Sequence, residues 1–178
     1  MKTSDSERNL GFESLTLRQK RNLFCLSRQE RFSLHKSDST IHSIKGDENM
    51  TKFSMTKQKF INQWLQHFAP NLSKKQFEAY IKDQFIWHVF SWELIKFDGL
   101  LTGDDARQAF NQTRKTNCIC CDMFNGHGVT DKLSPQFDTA EKIDAELTEF
   151  YVVAQDYSWT YIKTHECDLC GPYFLRNT

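Results

Sequence analysis

The chain has 178 residues, of which 39% are hydrophobic, and its 23 basic and 23 acidic residues give a formal net charge of zero. Such a length suits one domain and a tail. Without a strong basic excess, non-specific nucleic-acid binding is not expected, and no run of 18 apolar residues predicts a membrane span. The polar start of the chain lacks the apolar core of a secretory signal. We therefore expect a cytoplasmic protein with its six cysteines reduced.

The first 49 residues differ in character from the remainder. Their apolar side chains keep neither a helical nor a strand period, so this segment cannot bury enough surface to offset its conformational entropy. Two interpretations stay open: a disordered tail, or an over-extended reading frame with its true start at Met50 or Met55. The second arises because codons for Lys45-Gly46-Asp47 can spell a ribosome-binding sequence. Both interpretations predict one α+β domain over residues 50–178.

Two amphipathic helices are predicted at the beginning of this domain. Apolar residues recur at spacings of three, four and seven over residues 55–68, and Pro70 ends that pattern. Ser73 and Gln76 then have the spacing of a capping box, in which two backbone N–H groups are satisfied reciprocally. The helix that begins there is predicted to reach Ser91 and to form the central helix of the core.

The second half of the domain predicts a small sheet and further helices. Residues 118–124 are apolar and bounded by polar residues, which is typical of a buried strand. A hairpin is predicted from residues 150–154 and 158–164. Short helices are predicted after Thr102 and over residues 139–148. The expected fold is α+β, with three or four helices packed on a small, mainly antiparallel sheet that ends in a C-terminal hairpin.

Three stretches of the sequence carry a resemblance to a known family. They are Phe85–Trp92, Gly103–Phe110, and Ser158–Glu166 continued by Gly171–Phe174. In this order they resemble the bacterial family catalogued as domain of unknown function 4275, over residues 55–175. That family has no assigned activity, so the resemblance implies a shared fold and no chemistry.

The cysteines form two CxxC pairs, Cys118-x-x-Cys121 and Cys167-x-x-Cys170, with Cys120 as a spare thiol. Four thiolates could hold a structural zinc ion, the one cofactor that the sequence suggests. The 45 residues between the pairs exceed the roughly 15–20 of a compact zinc ribbon. Strand alternation would also direct Cys118 and Cys121 to opposite faces. Burial as small apolar side chains and redox chemistry at the second pair are the alternatives.

Two histidines and a glutamate are the candidate catalytic residues. His88 lies on the apolar stripe of the long predicted helix, where a packed core histidine is the alternative to a functional one. His165 and Glu166 follow the second hairpin strand, where side chains leave the sheet. With Asp156 they could form a metal or acid–base site. No motif of a known catalytic mechanism accompanies them.

Aromatic residues suggest a different function. Trp159, Tyr161 and Tyr173 are candidate binding residues, because Trp and Tyr dominate interface energetics when they are exposed; otherwise they belong to the core. Two function classes follow. One is a protein-binding or regulatory module whose partner is another protein. The other is a metal-assisted or acid–base enzyme that uses His165 and Glu166.

Overall fold

The structure, a computed structural model, describes residues 54–167 and 169–177, which form helices and a sheet. The predicted tail lies outside these residues. The helices are α1 (Lys57–Phe68), α2 (Lys74–Tyr80), α3 (His88–Ser91), α4 (Gly103–Gln112) and α5 (Ala140–Glu146), with a 3-10 helix at Pro135–Phe137. The strands are β1 (Leu101–Thr102), β2 (Cys118–Asp122), β3 (Val129–Thr130), β4 (Phe150–Ala154), β5 (Trp159–Lys163) and β6 (Tyr173–Arg176).

The six strands form one sheet in the order β1-β6-β5-β4-β2-β3, and every neighbouring pair is antiparallel. The α+β fold and the C-terminal hairpin of β4 and β5 are therefore confirmed. The terminal segment from Tyr173 is also a strand, and it pairs with both β5 and β1. Across the described residues, no helix is long and apolar enough to cross a membrane.

Helices cover both faces of this sheet. On one face, the Phe110 ring of α4 stacks on Tyr161 of β5, with ring centroids 4.2 Å apart. On the other face, Trp64 of α1 donates its indole N–H to Thr160 Oγ1 at 3.0 Å. Because both faces are covered, every residue of β2, β4 and β5 is buried. Near-continuous apolar strands are the expected sequence for such a sheet.

The helix predicted from Ser73 to Ser91 is wrong beyond its first turns. The capping box of Ser73 and Gln76 is present, but α2 ends at Tyr80 and α3 begins only at His88. At 3.6 residues per turn, a continuous helix would spread the apolar residues of this segment around more than half of its circumference. The break lets them all be buried; they are Ile81, Ile86, Trp87, Val89 and Phe90.

Candidate acid–base site

A buried carboxylate lies at the start of β4. Glu149 has an exposed fraction of 0%, and three side chains donate hydrogen bonds to it. Tyr151 Oη donates to Oε1 at 2.7 Å, Trp87 Nε1 donates to Oε2 at 3.1 Å, and His165 Nδ1 lies 2.7 Å from Oε2. Burial raises the pKa of Tyr151 well above its usual range, and the adjacent Glu149 adds a smaller effect in the same direction. Tyr151 therefore remains protonated and donates its hydroxyl hydrogen. These donors offset the cost of burying the carboxylate.

His165 lies between two carboxylates just after β5. Its Nδ1 contacts Glu149, and its Nε2 lies 4.0 Å from Glu166 Oε1. Since a carboxylate only accepts hydrogen bonds, we assign the proton of the neutral imidazole to Nδ1. The lone pair of the ring is then on Nε2. A carboxylate that accepts Nδ1–H also fixes the orientation of the ring.

Aromatic rings surround His165. Its ring centroid lies 4.5 Å from that of Phe85, 5.6 Å from that of Trp87 and 5.7 Å from that of Phe124. The His165 side chain is 14% exposed, whereas Phe124 is 49% exposed. These rings shield most of the imidazole from solvent.

The loop between β2 and β3 is held by a second buried carboxylate, Asp122. Its Oδ1 accepts the backbone N–H groups of Phe124 and Asn125 at 3.0 and 2.8 Å, and its Oδ2 accepts that of His127 at 3.1 Å. The backbone N–H of Asp122 donates to the carbonyl of Gly128 at 2.9 Å. Four hydrogen bonds therefore fix the loop that carries Phe124 against His165.

His88 packs behind the site. Its ring lies 4.3 Å from the Trp87 ring, edge to face, and its Nδ1 lies 3.4 Å from the carbonyl oxygen of Tyr80. Burial is the main cause that lowers the pKa of His88 to about 4, and the nearby His165 adds a smaller effect in the same direction. The hydrogen bond with the Tyr80 carbonyl acts in the opposite direction and only partly offsets the effect of burial. His88 is therefore neutral at pH 7 and supports Trp87.

The structure brings three of the four residues predicted for an acid–base site into one region. His165 and Glu166 are adjacent, and His88 is linked to them through Trp87. The prediction that Asp156 joins this site is wrong. Asp156 is exposed in the hairpin turn, at the opposite end of β5 from His165, where it accepts hydrogen bonds from Ser158.

The three aromatic residues predicted for binding are buried. Trp159 and Tyr161 belong to the core on the α4 and α5 face of the sheet. Tyr173 packs against Phe90, with ring centroids 5.2 Å apart. All three contribute to packing rather than to an exposed patch, which corrects the predicted binding surface.

The four cysteines proposed as zinc ligands are not brought together. Cys118 pairs with Ala154, at the hairpin-turn end of the sheet, whereas Cys167 and Cys170 follow the opposite end of β5. Four strand residues, or roughly 13 Å, separate these ends. Burial raises the pKa of Cys118 to about 11 and that of Cys121 to about 12. Across residues 54–167 and 169–177, no group of three or more His, Cys, Asp or Glu side chains is placed to hold a metal ion.

Sequence reasoning missed Glu149, the residue that organises the site. A signal for it was present, because a period of two along β4 places Glu149 in phase with Tyr151 and Val153, on a buried face. When the strand pattern places a carboxylate among buried side chains, it predicts that a hydrogen-bond donor or a cation lies next to that carboxylate.

Comparison with known proteins gives one result. No curated protein and no solved structure matches the chain. A family model described as domain of unknown function (DUF4275) matches residues 40–174. The match begins ten residues before Met50, and the domain boundary at Met50 stays a prediction. Since the match covers well over half of the 178 residues, the chain belongs to the DUF4275 family.

Proposed function

We propose that the protein is an acid–base enzyme in which His165 transfers a proton at Nε2. The single observation that carries the proposal is the fully buried Glu149 carboxylate, which holds His165 Nδ1 at 2.7 Å while Trp87 and Tyr151 hold the carboxylate. A histidine oriented by a buried carboxylate is the usual arrangement of a general base.

The reaction begins with a neutral His165. Its Nε2 takes a proton from a substrate hydroxyl, or from water activated for attack, and the resulting imidazolium is stabilised by Glu149 through Nδ1–H. Glu166, with Oε1 4.0 Å from Nε2, lies on the side where the proton is exchanged. The surrounding rings limit access of water, and a low local dielectric strengthens each of these electrostatic contacts.

The acid–base form of the enzyme hypothesis is better supported than the metal-assisted form. His165 and Glu149 are joined by a direct hydrogen bond, which directs both atoms toward each other rather than toward a common ion. Three metal-ligating side chains do not converge anywhere among the described residues. Proton transfer needs only the geometry that is present.

An activated ester tests the reactivity of His165 without knowledge of the natural substrate. An imidazole nitrogen that carries a lone pair accelerates release of p-nitrophenolate from p-nitrophenyl acetate, by nucleophilic or general-base attack. We expect His165→Gln to lose this acceleration and Glu149→Gln to lower the rate by about tenfold, because the carboxylate orients the ring through its hydrogen bond to Nδ1. The measurement is absorbance at steady pH, with protein in excess over ester.

The matched control is His67→Gln. His67 is exposed near the end of α1 and stacks on Tyr157, with ring centroids 3.9 Å apart. Tyr157 lies in the hairpin turn, at the opposite end of β5 from His165. This variant should retain the rate of the unmodified protein. If His165→Gln releases p-nitrophenolate as fast as His67→Gln does, His165 is a structural residue and the proposal fails.

A protein-binding or regulatory module of a bacterial cytoplasm is the second candidate function. Tyr80 is 41% exposed and stacks on Trp92 at 5.7 Å, so a large aromatic pair is present at the surface. Exposed Tyr and Trp side chains are typical anchors of protein interfaces. A pull-down with Tyr80→Ser should lose any specific partner captured by the unmodified protein, and an unchanged set of captured proteins argues against this function.

A further inference from the structure

We propose that Cys167 and Cys170 are a redox-active pair, which forms a reversible disulfide by exchange with a low-molecular-weight disulfide such as oxidised glutathione. The two thiols belong to the second CxxC sequence, which the acid–base reaction proposed for His165 does not use. The inference therefore stands or fails independently of that reaction.

A single turn of backbone carries both cysteines. The carbonyl oxygen of Glu166 accepts the N–H of Leu169 at 2.8 Å and the N–H of Cys170 at 2.7 Å. The second of these bonds, from residue i+4 to residue i, is that of an α-helical turn. Residues three apart in such a turn have Cα atoms about 5 Å apart, within the roughly 4.4–6.8 Å that a disulfide requires. The turn therefore allows Cys167 and Cys170 to be linked while its hydrogen bonds are kept.

Cys170 is the fixed member of the pair. It is buried, with an exposed fraction of 3%. Its backbone is held on both sides, because its N–H donates to Glu166 and its carbonyl oxygen accepts a hydrogen bond from Thr164 Oγ1. A buried thiol does not meet a dissolved disulfide directly, but it can attack a sulfur that the same turn holds beside it.

Cys167 is the accessible member of the pair. It is half-buried, whereas the other cysteines of the described residues are buried: Cys118, Cys120, Cys121 and Cys170. Burial raises the pKa of Cys118 to about 11 and that of Cys121 to about 12, so these strand cysteines remain thiols at neutral pH. The nucleophile in exchange is the thiolate. Among the described cysteines, a dissolved disulfide therefore reacts first with Cys167.

The exchange has two steps. The Cys167 thiolate attacks one sulfur of oxidised glutathione, forms a mixed disulfide and releases one glutathione thiolate. The Cys170 thiol then loses its proton, and its sulfur attacks that of Cys167 and releases the second glutathione thiolate. The protein loses two electrons and two protons, and one oxidised glutathione becomes two molecules of reduced glutathione. Excess reduced glutathione reverses both steps.

Mass spectrometry of one tryptic peptide tests the pair. Cleavage after Lys163 and Arg176 gives residues 164–176, which contain Cys167, Cys170 and no other cysteine. The native full chain is incubated with oxidised glutathione, unfolded in urea with iodoacetamide, and digested without reductant. We expect this peptide to be two hydrogens lighter and unlabelled, and treatment with reduced glutathione before unfolding should restore two labelled thiols.

Two variants separate the roles of the two thiols. Cys170→Ser should accumulate a mixed disulfide with one glutathione on Cys167, because the second step is lost. Cys167→Ser should react with oxidised glutathione at this peptide about tenfold more slowly or less, because the remaining thiol is buried. Cys118→Ser is the matched control, since it also replaces a buried cysteine, and it should leave oxidation of the peptide unchanged.

Three results would overturn the proposal. The peptide from the unmodified chain could keep both thiols, or it could carry glutathione on Cys167 without the internal link. Alternatively, Cys167→Ser could react as fast as the unmodified protein. Should Cys170→Ser fail to fold, the mass of the peptide from the unmodified chain decides the result.

Discussion

Replacement of Glu149 by leucine should destabilise the protein strongly. The substitution leaves Trp87 Nε1–H, Tyr151 Oη–H and His165 Nδ1 without their shared acceptor. Trp87 and Tyr151 are fully buried, so neither can turn to water, and an orphaned buried donor costs about 1–3 kcal/mol. The partly exposed His165 is hydrated at less cost. We expect a loss of about 4 kcal/mol, a large fraction of the roughly 5–15 kcal/mol typical of a domain.

Urea denaturation followed by circular dichroism measures this loss. Glu149→Gln should lose only about 1–2 kcal/mol, because the amide oxygen can accept from Trp87 and His165 while the amide nitrogen donates to the Tyr151 hydroxyl. The control is Glu146→Leu at the exposed end of α5, with an expected change within about 0.5 kcal/mol. A Glu149→Leu protein within about 1 kcal/mol of the unmodified one would refute the account of a carboxylate held by three donors.

Three further predictions follow from burial and from the domain boundary. Burial lowers the pKa of His88 to about 4, so the unfolded state binds the extra proton first, and stability should fall by up to about 3 kcal/mol between pH 6.5 and pH 4. His88→Asn should flatten that part of the urea profile, and an unchanged profile contradicts the shift. Burial raises the pKa of Cys118 to about 11 and that of Cys121 to about 12. Iodoacetamide at pH 7.5 should therefore label half-buried Cys167 in the native protein, and should label Cys118 and Cys121 only after unfolding. Mass spectrometry that finds Cys121 labelled in the native protein would refute this prediction. Removal of residues 1–49 should leave the melting temperature unchanged. If that removal lowers the melting temperature by several degrees and removal of residues 1–39 does not, the domain begins at Thr40, where the family match begins, and not at Met50.

Local patterns predicted most of the fold. Strands β2, β4 and β5 are short apolar runs between turn residues, and α1 has a clear amphipathic period, so each of these elements could be assigned without tertiary information. The segment from Ser73 to Ser91 could not, because its capping box and apolar content both favour a continuous helix. The break after Tyr80 depends on tertiary contacts: it allows the apolar residues that follow to be buried, and Trp87 among them donates its indole N–H to Glu149.

The site was predicted in part for a similar reason. A polar pair after a strand, His165 and Glu166, is visible in sequence because packing does not require it there. Glu149 lies just before β4, where the strand period places it on a buried face, but the sequence does not show which residues pair with its charge. Its role depends on contacts with residues 62 positions before it and 16 positions after it. Neither contact leaves a local pattern.

The same contacts decide how the function of His165 can be tested. The imidazole nitrogen that orients the ring for proton transfer also satisfies the buried Glu149 carboxylate, so His165→Ala removes a base and orphans an acceptor at once. A loss of activity in that variant would not separate chemistry from folding. Glutamine can still donate an amide N–H toward Glu149 and carries no titratable nitrogen, so His165→Gln removes the proton transfer while retaining a hydrogen-bond donor. A fold that survives this substitution without reactivity assigns His165 to catalysis, and a fold that fails with it assigns the network of Trp87, Tyr151 and His165 to the core.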